Sequence, residues 1–320
     1  MFNYYDFLLN KKKYICQKKM IVLVTGATGL IGKALVKQLL QKGHTVHYLT
    51  TSPKKMQQTD NYKGFLWNPA AYYLDENCLE NVQVIFHLAG ATIAKRWTKS
   101  YKEEILSSRL TTTQTLFDYL RKVPNQVKQI IAASGTAIYP NNTGKNYLEI
   151  ETSTASTFLG KVVQKWETQA NQLSTIGVKV CLLRTGVVFA ATGGALPQLV
   201  LPIKLGFGSV MGNGNQLQSW IHLQDIVGLY VFAMEHSWEG TYNAVAPEVI
   251  SNRVQTQLLA KILKRRLWMP ATPIWLMQLI LGEMHQLVFT DIRISCQKAL
   301  DAGYVFHFPS AKLALQNCLK

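Results

Sequence analysis

Residues 21–32 read IVLVTGATGLIG, and this stretch decides the fold. Four apolar residues, Ile21 to Val24, follow one another without a polar interruption, as is typical of a buried parallel strand. A glycine-rich turn leads into LIGKALVKQLLQKG, where apolar residues recur at helical spacing and Gly43 ends the run. The order of strand, glycine turn and helix predicts the first unit of an α/β fold with a parallel sheet.

The three glycines of this turn have separate roles in such a unit. Gly26 permits the tight turn, Gly29 lets a pyrophosphate approach the backbone, and Gly32 lets the helix pack against the strand. The first N–H groups of the helix favour negative charge. The pattern predicts a dinucleotide site in a doubly wound, Rossmann-type fold; an ordinary turn without a ligand is the alternative. The residues expected at this end of the cofactor are Gly26, Thr28, Gly29, Leu30, Ile31 and Gly32.

The turn after the second predicted strand, Thr45 to Thr50, indicates which dinucleotide is bound. Proteins that select NAD usually carry a carboxylate about 20 residues after the glycines, but no Asp or Glu lies between Gly26 and Asp60. Hydroxyl and ammonium groups, which suit a 2′-phosphate, stand there instead. They belong to Thr50, Thr51, Ser52, Lys54 and Lys55. We therefore expect NADP, with NAD less favoured and a solvated turn as the remaining alternative.

Composition and charge describe a folded protein without an obvious polyanionic partner. The chain has 320 residues, of which 48% are hydrophobic, so it can bury a sizeable core. Its formal net charge is +16, but the basic residues are mostly scattered, and the densest cluster, Lys11 to Lys19, precedes the first strand. We expect no nucleic-acid function. Nothing in the sequence indicates the oligomeric state.

Five cysteines lie far apart and never form a CxxC pair, which argues against a disulfide framework and a zinc site and fits a reducing, cytoplasmic environment. No metal is expected. No apolar run approaches the ~20 residues needed to cross a bilayer, so stable membrane insertion is not expected. Residues 1–19 lack the features of a secretory signal and are predicted to be a disordered extension, with a mis-set translation start before Met20 as the alternative. Their aromatic residues and lysines permit a weak membrane-surface contact.

The spacing of GATGLIG differs from that of the usual dehydrogenase fingerprint and resembles the extended short-chain dehydrogenase/reductase superfamily. In that superfamily a segment similar to HLAG, which ends the predicted strand Val82 to Leu88, closes over the nicotinamide-side ribose. The resemblance therefore adds Leu88, Ala89 and Gly90 to the cofactor site. His87 is interpreted as a hydrogen-bonded core histidine rather than a functional one.

Two further side chains are candidates for substrate contacts. Ser134 follows the predicted strand Gln129 to Ala133, and ligands of open parallel sheets bind outside the carboxyl ends of the strands. Ser134 is therefore a candidate to hydrogen-bond a substrate oxygen. Arg109 lies on a long amphipathic helix that precedes this strand and is a candidate substrate-binding residue.

The superfamily normally carries a tyrosine and a lysine four residues apart on the next helix, where the lysine lowers the pKa of the phenol. In the segment TFLGKVVQKWE, Phe158 takes the tyrosine position and Val162 the lysine position. Lys161 and Lys165 are expected to point away from that helix face. The literal YxxxK match, Tyr14 to Lys18, precedes the first strand and is a chance match.

The missing pair and the carboxyl-terminal half narrow the resemblance to the YfcH-like epimerase family, which has its own C-terminal domain and likewise lacks the pair. The shared motifs are VTGATGLIG, Trp67-Asn68-Pro69, HLAG, Ser108-Arg109, Ser134, FLGKVVQKWE, LLRTGVVF (182–189), Gly193-Gly194-Ala195, SWIHLQD (219–225), NAVAP (243–247) and ILGEM (280–284). The chain differs from the family in having Thr51 where Arg is usual and Asn68 where Asp is usual. Thr51 weakens the argument for NADP.

The carboxyl-terminal half carries four more candidates. Arg184 ends a buried strand, and because a buried arginine is costly without an anion, it is expected to face the cofactor or an inter-domain acid. Trp220, His222 and Asp225 are predicted to line the cleft as substrate-binding and catalytic residues. His222 could exchange protons near neutral pH. Asp225 would orient it or, more commonly for such a residue, cap a helix.

These observations predict a dinucleotide-binding domain at residues 20–190 and 216–245 and a C-terminal substrate lobe at residues 191–215 and 246–320. The predicted function is an NADP-binding epimerase or oxidoreductase that transfers hydride to or from a small molecule such as a nucleotide sugar. Ser134 would hold the substrate oxygen, and His222 or Tyr139 would supply the proton. The alternatives are a non-catalytic NADP sensor and an interaction protein.

Overall fold

The structure, a computed structural model, describes residues 19–141 and 144–320. The predicted extension, with its Tyr14 to Lys18 match, lies outside the described residues apart from Lys19. The strands are β1 (Ile21–Thr25), β2 (Thr45–Thr50), β3 (Tyr62–Asn68), β4 (Tyr73–Leu74), β5 (Val82–His87), β6 (Gln129–Gly135), β7 (Asn146–Tyr147), β8 (Lys179–Thr185), β9 (Val187–Phe189), β10 (Leu217–Gln218), β11 (Trp220–His222), β12 (Gly240–Ala244), β13 (Ile250–Ser251) and β14 (Arg293–Ile294). The α-helices are α1 (Leu30–Gln41), α2 (Lys99–Lys122), α3 (Phe158–Asn171), α4 (Leu196–Lys204), α5 (Leu223–Glu235), α6 (Asn252–Ile262), α7 (Ile274–Leu281), α8 (Gln297–Asp301) and α9 (Ala311–Cys318).

An eight-stranded sheet forms the centre of the fold, with the order β12-β8-β6-β5-β1-β2-β3-β4. Its neighbouring strands run parallel, except for the antiparallel pair of β3 and β4. From β1 the chain builds outward to β3, and it then returns to β5 on the other side of β1. Ligands of such sheets bind outside the carboxyl ends of the strands at this reversal point. The predicted doubly wound Rossmann fold is confirmed.

Helices cover both faces of the sheet, which explains why β1 has no polar alternation. Val22 and Val24 face one core, which includes residues of α1 and α5 such as Leu35 and Tyr230. Leu23 faces the opposite core, which includes Leu116 of α2. Each residue in the middle of β1 is therefore buried against a helix layer.

Before β5 the chain forms a 3-10 helix, Glu76–Leu79, whose first turn is capped by the Asp75 side chain accepting from the N–H of Asn77 at 3.1 Å. One local difference from the predicted elements bears on the site. β6 runs beyond Ala133 as far as Gly135, so Ser134 lies within the strand. There it pairs in register with Arg184 of β8.

A smaller lobe follows β9 and has a core of its own. Residues of α4, α6 and α9 pack there around Phe189 and Trp220. The predicted domain boundaries assign Trp220 to the dinucleotide-binding domain, although its side chain lies in the core of the C-terminal lobe. The division at residues 190, 216 and 245 stays a prediction.

Candidate functional site

The glycine turn between β1 and α1 lies at the reversal point of the sheet, and its shape requires glycine at two positions. Gly26 has a φ of +69°, and a Cβ there would lie 2.8 Å from the carbonyl oxygen of Leu88. A Cβ on Gly32 would overlap the carbonyl oxygen of Gly26. The turn is therefore held tightly between β1, the segment after β5, and the first turn of α1.

The first turn of α1 faces outward with its backbone uncapped. Gly29 occupies the N-cap position and, as a glycine, has no side chain to cap the helix. Thr28 and Gly29 are exposed. Leu30 and Ile31, the first two helical residues, are half-buried, and N–H groups at these positions have no partner within a helix. An exposed glycine beside N–H groups that have no helical partner fits the pyrophosphate of a dinucleotide.

The segment after β5 is fixed to the glycine turn by Thr25. Its hydroxyl oxygen accepts hydrogen bonds from the N–H groups of Leu88 and Ala89, both at 3.0 Å. Ala89 is buried, whereas Gly90 is exposed. The segment predicted to cover the nicotinamide-side ribose therefore lies beside the glycine turn, at the carboxyl end of the neighbouring strand.

His87 is a core histidine, as predicted. Its Nδ1 lies 2.9 Å from Thr25 Oγ1, and its Nε2 lies 3.1 Å from Thr113 Oγ1. The Thr113 hydroxyl donates to the carbonyl oxygen of Arg109, so it accepts from His87 Nε2–H, which leaves Nδ1 to accept from Thr25. Burial lowers the pKa of His87 to about 4. This neutral imidazole ties β1 and β5 to α2.

The turn after β2 presents the groups that the sequence predicts for a 2′-phosphate. Thr51, Lys54 and Lys55 are exposed, and Ser52 is half-buried. Thr50 is buried, and its Oγ1 accepts from the Ser52 N–H at 3.2 Å. This hydrogen bond orders the turn at the carboxyl end of β2, beside the glycine turn.

Ser134 does not present a free hydroxyl. The side chain is buried, and its Oγ donates to Glu167 Oε1 of α3 at 2.5 Å. Arg184 forms a bidentate ion pair with the same carboxylate, with Nε donating to Oε1 at 2.9 Å and Nη2 donating to Oε2 at 2.8 Å. Burial acts to lower the pKa of Arg184, but the hydrogen bonds and charge of Glu167 outweigh it and raise that pKa. Of the two partners predicted for Arg184, the acid is the one it contacts, and this acid lies within the nucleotide-binding part.

Tyr139 continues the same buried network. Its hydroxyl accepts from Arg184 Nη1 at 2.8 Å and donates to Asn243 Oδ1 at 2.7 Å. Burial raises the pKa of Tyr139, and the charge of Arg184 offsets only part of that shift. The two proposed catalytic hydroxyls, those of Ser134 and Tyr139, are thus both occupied by internal hydrogen bonds.

The position of the missing tyrosine and lysine is filled by apolar side chains. Val162 is 2% exposed and packs with Trp97 and Leu159. Phe158 contacts the ring of Trp97 edge-on, with centroids 5.3 Å apart. Met284 and Leu287, from the segment after α7, pack against this group. We call these six residues the apolar cluster. Lys161 and Lys165 are exposed, as predicted.

The predicted cleft-lining group in the C-terminal lobe needs correction. Trp220 is fully buried and stacks on Phe189 at 4.9 Å, so it belongs to the core. His222 is the N-cap of α5, where Nδ1 accepts from the Gln224 N–H at 3.1 Å; burial lowers its pKa, and Asp225 offsets this in part. Asp225 is buried and accepts from the N–H groups of His307 and Phe308 at 2.7 and 2.9 Å. The capping residue is therefore His222, and Asp225 anchors the chain before α9.

Arg109, a predicted substrate-binding residue, lies beside the segment after β5. Its Nη1 donates to the carbonyl oxygens of Ile105 and Ala91, at 2.8 and 3.2 Å, and its guanidinium lies 5.0 Å over the ring of Trp166. A Cβ on Gly90 would lie 3.3 Å from its Cζ. Burial lowers the pKa of Arg109 to about 10. Within residues 19–141 and 144–320 no carboxylate pairs with it, so this cation beside the segment after β5 is suited to an anionic or hydroxyl-rich ligand.

Two residues of the site were missed by the sequence analysis. Glu167 could have been found, because it is the single acid between Glu151 and Asp225 and a buried Arg184 needs one. Thr136 is the other. It follows β6, it is half-buried rather than buried, and its hydroxyl makes only a 3.3 Å hydrogen bond, to the Thr185 carbonyl. No sequence signal separated it from Ser134, because the end of β6 was predicted two residues too early.

Comparison with known protein families gives two matches along the chain. The family described as "NAD dependent epimerase/dehydratase family" matches residues 22–245, a range that contains the whole eight-stranded sheet. The chain belongs to this epimerase/dehydratase family. A domain of unknown function, DUF1731, matches residues 272–318, which include α7, α8 and α9. The resemblance to an epimerase family with its own C-terminal domain is therefore confirmed.

Individual relatives agree with this assignment. An epimerase family protein of Staphylococcus saprophyticus is 32% identical over 298 residues, covering 92% of this chain and 98% of its own. A Staphylococcus aureus epimerase family protein is 30% identical over 302 residues, covering 93% and 98%.

Solved structures of family members superpose on this fold. The human epimerase family protein SDR39U1, crystallised with NADPH, has a TM-score of 0.82 and 29% identity, covering 94% of this chain and 99% of that one. A nucleoside-diphosphate sugar epimerase of Corynebacterium glutamicum has a TM-score of 0.76 and 25% identity, covering 98% of this chain and 61% of that one.

Proposed function

We propose that this protein is an NADP-dependent oxidoreductase or epimerase that transfers hydride to or from a small molecule. The observation that carries the proposal is the glycine turn, which Gly26 and Gly32 let pack closely against the neighbouring backbone and which leaves Gly29 exposed at the start of α1. The human relative crystallised with NADPH supports the same ligand class. Nucleotide sugars are the first substrate class to test, because one relative carries the name of a nucleoside-diphosphate sugar epimerase.

NADP is favoured over NAD by the turn after β2. The exposed Thr51 and Lys54 and the half-buried Ser52 would form charge-assisted hydrogen bonds with a 2′-phosphate. No carboxylate precedes Asp60 there to accept the 2′-hydroxyl of NAD. The free, buried cysteines Cys78, Cys181, Cys296 and Cys318 support a cytoplasmic location.

The nicotinamide would supply the hydride, and the protein would bind and orient the reactants. Arg109 would bind hydroxyl or phosphate groups close to Gly90, because it has donors left after its bonds to Ala91 and Ile105. Thr136 would hydrogen-bond the substrate oxygen in the role first assigned to Ser134, since it is the more accessible hydroxyl at the end of β6. The proton that joins or leaves the substrate oxygen would be exchanged with solvent, because the hydroxyls of Ser134 and Tyr139 are engaged in internal hydrogen bonds.

The test is turnover. The protein is incubated with NADPH or NADP and a metabolite extract, then with a panel of nucleotide sugars, while absorbance of the reduced nicotinamide is followed. An epimerase that regenerates its cofactor gives no net absorbance change, so the sugars are also analysed for inversion. A Gly29→Val variant serves as the control that lacks cofactor. Turnover by the parent protein and not by the variant would support the proposal.

A second function, NADP sensing without catalysis, is favoured by the apolar cluster. Phe158 and Val162 stand where the family's wider superfamily moves a proton, and Val162 is almost fully buried. Tight NADPH binding without hydride transfer or sugar inversion across the panel would support the sensor. A protein partner that binds equally well to the Gly29→Val variant would instead support the third possibility, an interaction protein.

A further inference from the structure

Helix α7 is apolar and faces solvent. Its sequence, IWLMQLIL, contains no charged residue, and none of its residues is buried. Trp275, Leu279 and Ile280 are 65%, 72% and 58% exposed. Exposed apolar side chains scattered singly are ordinary, but a helix of them marks a contact site.

Neighbouring segments extend this surface. Phe207 and Trp268 are 62% and 68% exposed. The backbone of Thr272 ties their two segments together, because its N–H donates to the Val210 carbonyl and its carbonyl accepts from the Gly212 N–H, both at 2.8 Å. We call the following residues the apolar face: Leu205, Phe207, Trp268, Trp275, Leu279 and Ile280.

A cluster of positive charge adjoins the apolar face. Lys261, Lys264, Arg265 and Arg266 are all exposed and lie within the seven residues before Trp268. Residues 249–282 contain these four and Arg253 but no Asp or Glu. Within the described residues none of these cations forms an ion pair, so their charge is not neutralised by the protein.

We propose that the apolar face and this basic cluster dock the protein on an anionic lipid bilayer. Helices that lie in the membrane interface typically combine tryptophan and leucine with lysine and arginine. Basic residues close to the membrane surface are attracted by anionic lipids. A second copy of this chain fits less well, because a symmetric contact would bring two uncompensated basic clusters together.

The proposed contact lies on the membrane rather than across it. No helix in the described ranges is both long and apolar enough to span a bilayer. Helix α7 has eight residues, which at about 1.5 Å each give roughly 12 Å, against a hydrocarbon core of about 30 Å. The helix can bury its apolar side chains only by lying in the interface.

The experiment is co-sedimentation of the full-length protein with vesicles. Phosphatidylcholine vesicles are compared with vesicles that also contain phosphatidylglycerol. We expect at least about tenfold tighter binding to the anionic vesicles at low salt, and a loss of that difference as salt rises. Equal binding to both vesicle types, or no binding to either, would overturn the proposal.

Variants assign the binding to this surface. Trp275→Glu with Leu279→Glu should abolish vesicle binding. Lys264→Gln, Arg265→Gln and Arg266→Gln together should weaken binding to anionic vesicles on the order of a hundredfold, since each basic residue contributes several-fold. Val305→Glu is the matched control, because Val305 is 79% exposed but lies on the segment that packs against α5. It should bind as the parent does.

Two further measurements separate the alternatives. Thermal unfolding and NADPH affinity, measured on every variant, identify any that is misfolded. If the apolar and basic variants keep the parent's vesicle binding, the lysines of residues 11–19 are responsible and the proposal is wrong. If the parent is a dimer by light scattering, the Trp275→Glu and Leu279→Glu variant is a monomer, and neither binds vesicles, the face binds a second copy instead.

Discussion

Arg184 and Glu167 form a two-pronged ion pair inside the protein, with N–O distances of 2.9 and 2.8 Å. The pair joins β8 of the central sheet to α3, the helix on which Phe158 and Val162 take the positions of the tyrosine and the lysine. Ser134 and Tyr139 each hydrogen-bond one member of the pair. Three of the side chains that sequence analysis assigned to catalysis or cofactor binding, Ser134, Tyr139 and Arg184, thus belong to one polar network that connects the sheet to this helix.

The first prediction concerns the stability that depends on this pair. Glu167→Gln should lower the free energy of unfolding by roughly 3–5 kcal/mol, because it leaves a buried arginine without its counter-charge. Glu76→Gln is the control, since Glu76 pairs with Lys122 at 3.5 Å on the exposed surface and such pairs contribute about 0–1 kcal/mol. Denaturant unfolding measures both. Equal losses in the two variants would contradict the buried-pair assignment.

The second prediction tests the glycine turn. Gly29 is exposed with a φ of −75°, which other residues adopt freely, and a Cβ there would lie 3.2 Å from the Gly26 carbonyl oxygen. Gly29→Val should therefore fold with a small shift of the turn. Its side chain should occupy the space that the pyrophosphate needs, so NADPH binding should disappear. Thermal shift with increasing NADPH measures the effect. A variant that NADPH stabilises as much as it does the parent would show that the dinucleotide binds elsewhere.

Cofactor selection is the subject of the third prediction. NADPH should bind more tightly than NADH, and the difference should grow at low salt because it arises from charge-assisted contacts to the 2′-phosphate. Ser52→Asp should reverse the preference, whereas Ser174→Asp, at an exposed position of the 3-10 helix Gln172–Ile176, should leave it unchanged. Calorimetry on the parent and both variants gives the dissociation constants for NADPH and NADH that test this prediction. Equal affinities for the two cofactors in the parent would refute the assignment of this turn.

The fourth prediction follows from the lowered pKa of His87, which is about 4 in the folded protein and about 6.5 in an unfolded chain. Between pH 6.5 and pH 4 the imidazole is protonated in the unfolded state but not in the folded state, so the free energy of unfolding falls as the pH falls. The neutral histidine contributes about 3 kcal/mol above pH 6.5, and about 2 kcal/mol of this is lost at pH 5. That contribution is fully lost only near pH 4.

Denaturant unfolding at pH 7 and pH 5 measures the effect. The loss of stability between these two values should be about 2 kcal/mol smaller in His87→Gln than in the parent. His236→Gln, at an exposed position, should keep the parent's pH dependence. If His87→Gln also keeps it, the imidazole is not held neutral by the fold.

A fifth prediction compares the hydroxyl of Ser134, within β6, with that of Thr136, which follows the strand. Once a substrate is found, Thr136→Val should lower turnover by roughly a hundredfold, as expected for loss of a group that stabilises the reacting oxygen, and leave NADPH affinity unchanged. Ser134→Ala should mainly lower stability, because its hydroxyl binds Glu167. Steady-state kinetics and thermal unfolding of both variants separate these effects. The reverse result would restore Ser134 to the catalytic role.

Sequence analysis succeeded where local pattern is strong. The apolar run of β1, the glycine turn and α1 are determined by residues close together in the chain, and they identify the fold and the cofactor class. It failed where the answer depends on a distant partner. Nothing within β8 indicates that Arg184 meets Glu167, and nothing around Trp220 indicates that Phe189 covers its ring. A cleft residue and a core residue can have the same sequence pattern, because burial is set by packing between lobes.

The apolar cluster makes the absence of the tyrosine and lysine difficult to reverse. A lysine at position 162 would place an ammonium group against Trp97 and Leu159, where burial disfavours the charged form that the tyrosine would need beside it. Its longer side chain would also displace Met284 or Leu287. Two substitutions would therefore not create a working tyrosine and lysine pair at these positions. Such a pair would also require looser packing of Met284 and Leu287 against α3.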